Sequence, residues 1–403
     1  MAKKRAKILE TKNFGLFIGI FILAIFVLLL WVIQFPALKT LELKMLDIHF
    51  NFKNLGSQTN IQEGVSYESR NPEISQDLLI IGIDFKTLSN LGRWPFPRYR
   101  HGDLMDSFTR IKNQNERERA LFLDVFFIEP DEDEPYNDVK LLESMKRNGR
   151  VFLETLLDEV PPSTENAEDF FTRQQLLYEN YGEITEVEGN WREMTYYLGM
   201  QPPLQPYARE THGYGHANFL SDRDQIYRRQ SLVAKSSVLI DAFRLRDLTP
   251  DISVDAAHFE RLAWFDKDNI LHNIPHPLTE QALAELKVQM EEEAPLKSVD
   301  TDNDGEPDES FYVIRKYKDH FVPAITLALA LEYFHVDIND IEVVLGKHIR
   351  IPEPKKFNVE SQEWEPYRKI VKPAKFDKEN NLIAAQVTEK VDELLIPINH
   401  DGA

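Results

Sequence analysis

Hydrophobic and polar positions alternate at three different rhythms along this chain. The first is a block. Residues 14–33 read FGLFIGIFILAIFVLLLWVI, with no charge among them. About 20 residues at a rise of about 1.5 Å span the roughly 30 Å hydrocarbon core of a bilayer, so the run predicts a transmembrane helix. Lys3, Lys4, Arg5, Lys7 and Lys12 precede it against Glu10 alone. Basic flanks stay in the cytoplasm, so residues 1–13 are expected inside and the bulk of the chain outside, in the periplasm or beyond. The rival reading, a cleaved signal peptide, calls for a shorter apolar core and a small-x-small site, which WVIQFPALKT does not offer. Gly15 and Gly19 lie one turn apart, the spacing that lets a second helix approach closely. Leu38, Leu41, Met45 and Ile48 then repeat at 3-4-3 spacing, predicting a stalk helix over residues 36–55 that either pairs with a second copy or packs on its own domain. Residues 322–334, VPAITLALALEYF, are apolar but short, contain Glu332 and begin with Pro323, which predicts a buried core helix and no second span.

Residues 56–403 switch to shorter periods. LLIIGI (78–83), ALFLDVFF (120–127) and RVFLETLL (150–157) are continuous apolar runs, and between them stand helical patterns at 98–113 and 138–148, the second with Asp138 as its expected N-cap. Apolar strands alternating with helices predict a βαβαβ unit and a mostly parallel sheet with flanking helices, an α/β fold. Two polar stretches, near 158–210 and 250–310, read as insertions, the first holding one helix near Ala167 to Tyr181. QSLVAKS (230–236) is strand-like, and VVLGKHIRIP (343–352) reads as a hairpin turning at Gly346-Lys347. No internal repeat is visible. Asp401-Gly402 is a turn signal following a strand, so the fold is expected to continue beyond Ala403.

Composition narrows the classes. The 403 residues carry 47 Lys and Arg against 67 Asp and Glu, a net charge of −20, which argues against a nucleic-acid partner. The absence of cysteine removes disulfides, thiol catalysis and cysteine-ligated metals. The sequence has no phosphate-cradling Gly-Lys-Ser/Thr loop, no His-Glu-x-x-His and no Gly-x-Ser-x-Gly, so no enzyme is expected within this chain.

Four segments together carry a family likeness. LELKMLDIHFNFK (41–53), IIGIDFKTLSNLGRWPFPRYRH (80–101), ALFLDVFFIEPDEDEPYNDVKLLESM (120–145) and GYGHANFLSDRDQIYRRQSL (213–232) resemble the extracellular sensory domain called CHASE, type two, and IPINHDG (396–402) resembles its closing segment. The sequence departs from the family pattern at Gln225, where glycine is usual. The resemblance implies a sensor outside the membrane. It also implies a cytoplasmic output not contained here, typically an adenylate or guanylate cyclase or a histidine kinase, and signalling through a homodimer. A structural or scaffolding envelope protein with one span is the alternative.

Asp84 and Asp124 close two apolar runs expected to be neighbouring parallel strands, and ligands bind beyond the carboxyl ends of such strands. Arg93, Trp94 and Arg98 follow the first run in a loop stiffened by Pro95 and Pro97. The five are candidates to bind a small polar ligand of unknown identity. Equally, the aspartates cap turns, Trp94 fills the core and Arg98 pairs with one of them. Asp300, Asp302, Asp304, Glu306 and Asp308 alternate around Gly305 as in calcium-binding loops, although Phe311 stands where a bidentate acid is expected; a solvated acidic loop is the other reading. His212 and His216 have metal-like spacing, but Gly213 and Gly215 oppose the helix that would align them.

Overall fold

The computed structural model describes residues 14–28, 40, 43–48, 59–62, 65–68, 77–163, 165–221, 226–299, 308–372, 375–376, 382–400 and 402. The chain divides into two compact units, residues 1–96 with 221–226, and residues 97–220 with 227–403.

In the first unit, α1 (Phe14–Val27) is apolar throughout. Its 14 residues reach about 21 Å. No helix among the described residues is long and apolar enough to cross a membrane. The expected span to Ile33 runs on into residues outside the described ones. Of the stalk expected over 36–55, residues 43–48 are described and are helical. Strands β1 (Thr59–Gln62) and β2 (Val65–Glu68) pair antiparallel, Thr59 opposite Glu68. The apolar run 78–83 overturns an expectation: it belongs to no ladder, and Leu78, Leu79 and Ile80 are 75, 78 and 92% exposed. Apolar character announces a preference for burial, but a strand also needs a partner for its amides and carbonyls, and pattern alone does not supply one. Helix α2 (Phe85–Leu91) follows directly.

The second unit opens with α3 (Arg98–Thr109), β3 (Leu121–Leu123), α4 (Tyr136–Asn148) and β4 (Val151–Asp158). This is the expected alternation. Met105, Leu141, Met145, Val151 and Leu153 form its core. Asp138 is not the N-cap of α4; Pro135 holds that position, and Asp138 stands in the first turn. Helix α5 (Ala167–Tyr181) has the expected bounds. The stretch expected as an insertion around it also yields β5 (Glu186–Glu188), β6 (Tyr196–Tyr197), β7 (Gly199–Gln201) and α6 (Gln205–Glu210). Next, β8 (Gly213–His216) pairs parallel with β4, as β3 does on the other side. Gly215 is required there, since a Cβ would lie 2.5 Å from the backbone nitrogen and Cα of Ile325.

The rest of the unit is mostly antiparallel. Strands β9 (Val233–Arg244), β10 (Glu260–Phe265) and β11 (Leu271–Ile274) come before helix α7 (Glu280–Glu293). The short pair β12 (Lys297–Val299) and β13 (Glu309–Phe311) leads into β14 (Val313–Pro323). The main sheet runs β11-β10-β14-β9-β6, and within it β6 alone is parallel to its neighbour. A mostly parallel sheet is therefore corrected to mixed sheets. The cause is the polar stretch 250–310: apart from the buried Arg261, most of its charges are solvent-exposed, so it reads as insertion yet supplies β10, β11 and α7. Leu283, Leu286 and Met290 of α7 cover one face of the sheet, packing on Leu262, Trp264, Ile274 and Ile314. Thr279 caps that helix through the Ala282 amide. Helix α8 (Ile325–Phe334) is the expected core helix. Strands β15 (Glu342–Val344) and β16 (His348–Pro352) form the expected hairpin, with Gly346 at φ 76°, and β17 (Glu393–Pro397) extends it.

Candidate functional site

The face of the main sheet opposite α7 carries a cleft of about 960 Å³. Its composition follows from register. Strand side chains alternate between faces, so Val313, Arg315, Tyr317 and Asp319 of β14 project together. Ser237 lies opposite Asp319 and Leu239 opposite Tyr317 on β9; Arg261 lies opposite Tyr317 and Ala263 opposite Arg315 on β10. Asn273 and Leu271 of β11 sit across from Ala263 and Phe265, and Tyr196 of β6 faces Lys235. A register shift between Leu239 and Asp241 ends this pattern on β9. The rim comes from Glu159 to Pro161, Arg192 to Thr195, and Ala294, Pro295 and Lys297.

One end of the floor is closed by a polar network in which Ser237, Asn273, Tyr196 and Tyr317 line the cleft while Arg261 and Asp319 are buried behind them. Arg261 Nε donates to Asp319 Oδ2 at 2.7 Å, both side chains being at most 1% exposed. Its remaining nitrogens donate to Asn273 Oδ1 at 2.8 Å and Ser237 Oγ at 3.0 Å, while Ser237 Oγ donates to Asp319 Oδ1 at 2.6 Å. The guanidinium also lies over the rings of Tyr196 and Tyr317, 5.9 and 5.1 Å from their centroids. Each buried charge thus meets its opposite and several donors or acceptors, the condition for keeping an ion pair out of water. Burial raises the phenol pKa of both tyrosines, keeping them neutral. The buried Lys235 ammonium donates to the Trp191 and Arg192 carbonyls at 2.8 and 3.1 Å, and Asn273 Nδ2 adds a bond of 3.0 Å to the Arg192 carbonyl. These bonds fix the turn that presents the Arg192 side chain, which lies over the Trp191 ring at 4.3 Å.

The open end differs. Arg315 lies over the Phe265 ring with its guanidinium carbon 4.9 Å from the centroid. The adjacent Lys316, pointing to the other face, pairs with Glu260, whereas among the described residues neither Arg315 nor Arg192 has a carboxylate within ion-pair distance.

The residues expected to bind a ligand are distributed elsewhere. Asp84 caps α2, accepting from the Thr87 amide and hydroxyl at 2.7 Å each, and these bonds lower its pKa. Arg93 is exposed. Trp94 stands edge-on to Phe96, 5.3 Å between centroids. These three belong to the first unit; Arg98 and Asp124 belong to the second. Arg98 pairs with Asp138 and donates to the Glu129 carbonyl, and Asp138 also accepts from the Tyr207 hydroxyl at 2.7 Å and the Asp131 amide at 2.9 Å. Asp124 follows β3 and lies beside Glu154, a β4 carboxyl that is 2% exposed. Burial, reinforced by the Asp124 charge, pushes Glu154 up to about 8, so Glu154 keeps its proton at neutral pH.

Asp300, Asp302, Asp304 and Glu306 lie outside the described residues. Asp308 is described, and no group of three His, Asp or Glu among the described residues is arranged to hold a metal. His212 faces Glu332 at 3.3 Å, and buried His216 accepts the Asn218 amide at its Nδ1 at 3.2 Å, with burial lowering its pKa to about 3. The two rings have separate partners and do not converge on an ion.

Sequence reading missed the cleft because its residues come from five strands far apart in the chain. The available signal was VIRKYKDHFV (313–322), where Val313, Arg315, Tyr317 and Asp319 share one face of a period-two pattern.

The sequence of residues 21–389 matches the CHASE2 domain family, and the chain belongs to that family. CHASE2 is a family of extracellular sensor domains typical of signalling receptors. No curated protein and no solved structure matches the chain.

Proposed function

We propose that this chain is the exported sensing region of a bacterial membrane-anchored receptor, with the cleft on the main sheet as its ligand site. The match to an extracellular sensor family over residues 21–389 is the observation that carries the reading. The basic tail ahead of an uncharged apolar helix supports the orientation, N-terminus in the cytoplasm and domain outside. In this reading residues 14–33 are the anchor. The output is a cytoplasmic adenylate or guanylate cyclase or histidine kinase. Two copies pair along the Gly15 and Gly19 face, where no atom of the described residues lies within 4 Å of the position a Cβ would take at either glycine. The acidic stretch 300–308 belongs to it as a weak calcium site, with affinity on the order of 10⁻⁴–10⁻³ M as in other extracellular modules. Protease added to intact spheroplasts tests the topology: the region after residue 36 is digested, while a tag ahead of Lys3 survives until lysis. Protection of the whole domain refutes the reading.

A further inference from the structure

The geometry points to a monoanionic ligand with an apolar body, its carboxylate or comparable headgroup held by Arg315. The inference rests on the cleft being the ligand site and adds the chemistry of what enters it. Three observations carry it. The first is the state of Arg315. The guanidinium lies over the Phe265 ring, 4.9 Å from its centroid, and among the described residues it has no hydrogen-bond or ion-pair partner, so its N–H groups offer the fork that matches a carboxylate. Half-buried, it is screened less than a surface cation, so an anion beside it gains more than it would in open water.

The second is the contrast with Arg261 on the same face. Arg261 is saturated by Asp319, Asn273 and Ser237 and sealed under two tyrosines. The sheet therefore holds one sealed arginine and another, diagonal to it, without an acid among the described residues. Arg192 adds a second such cation on a turn anchored by Lys235 and Asn273.

The third is the remaining lining. Leu239, Leu271, Val313, Met194 and Pro161 offer apolar surface, and Phe265 and Tyr317 offer ring faces, so the body of the ligand is hydrophobic and flat enough to lie on the sheet. Glu159 and Glu193 are exposed on the rim. Their charges are solvated and oppose the two rim-side cations Arg192 and Lys297, leaving Arg315 as the half-buried charge that one anionic group answers.

Naphthalene-2-carboxylate and naphthalene-2-carboxamide share a body and differ in charge, so they isolate the headgroup. Each is titrated calorimetrically into the full chain in nanodiscs, as wild type, Arg315→Gln and Arg315→Lys, with folding checked by circular dichroism. Wild type is expected to bind the carboxylate at least tenfold more tightly than the carboxamide. Arg315→Gln removes that preference and leaves carboxamide affinity unchanged; Arg315→Lys restores part of it. Equal affinity of wild type for the two probes, no binding of either at millimolar concentration, or a preference surviving in Arg315→Gln overturns the inference. Spheroplast proteolysis is independent of these titrations. A failure of topology and a failure of anion recognition are therefore told apart.

Discussion

Glu154→Gln offers the sharpest test of the electrostatics inside the second unit. The side chain is 2% exposed on β4, and glutamine preserves its shape. In the unfolded chain the carboxyl titrates at 4.5, while in the fold burial and Asp124 push it to about 8. Between those values the folded state keeps a proton that the unfolded state has lost. The unfolded state therefore binds fewer protons, and stability falls as pH rises, by about 1.4 kcal/mol per pH unit. From pH 4.5 to pH 7 the loss accumulates to about 3 kcal/mol, and it levels off above pH 8, once both states are ionised. Glutamine does not titrate. Relative to wild type, Glu154→Gln should therefore gain about 3 kcal/mol at pH 7 compared with the difference measured at pH 4.5. Urea unfolding of both proteins at the two pH values, followed by tryptophan fluorescence, measures this. The same wild-type-to-variant difference at both pH values would refute the reasoning, since Glu154 would then be ionised in the folded protein.

Removing one member of the sealed ion pair exposes its cost. Arg261→Met alone strands the Asp319 carboxylate and should destabilise by about 3–5 kcal/mol, while Arg261→Met with Asp319→Leu recovers most of the loss; equal midpoints in urea for the two variants would contradict this. Gly215→Ala drives a Cβ against the Ile325 backbone, which cannot swing aside, and should cost about 1–3 kcal/mol, read as a lower melting temperature and faster amide exchange in α8. Arg98→Ala leaves Asp138 with its Tyr207 and Asp131 bonds and partial exposure to water, so its cost should be smaller, about 1–3 kcal/mol; an unchanged melting temperature would mean that the pair contributes nothing.

How far the sequence foretold the molecule depended on whether a signal was local. Helix α5 was legible to the residue, because Glu168 and Asp169 mark its first turn and Gly182 stops it. The hairpin at Gly346 was equally plain, since a positive φ singles out glycine. Strand pairing was not legible. The run 78–83 reads as a central strand yet has no ladder, while Glu260–Phe265, inside a stretch that reads as polar insertion, lies within the main sheet with a paired strand on each side. Asp138 was placed at the right helix but given the wrong task, because its partners Arg98 and Tyr207 are 40 and 69 residues away. The cleft suffered most, since Arg261 and Asp319 meet across 58 residues and no short motif contains both.

Gly402 ties a distant part of the chain to this cleft. Its carbonyl accepts the amides of Leu232 and Val233 at 2.8 and 3.3 Å. Its φ of 80° and the Val233 carbonyl, 2.3 Å from where a Cβ would sit, admit glycine alone. Val233 begins β9, and Ser237, in the floor of the cleft, lies four residues further along that strand, about 13 Å at the rise of an extended chain. From Val233 to Ser237 the strand is paired with β14 residue for residue, so the residue that Gly402 grips and a residue lining the cleft stand on one unbroken length of ladder. The Gly402 clasp therefore fixes the register of the strand on which that part of the cleft is built.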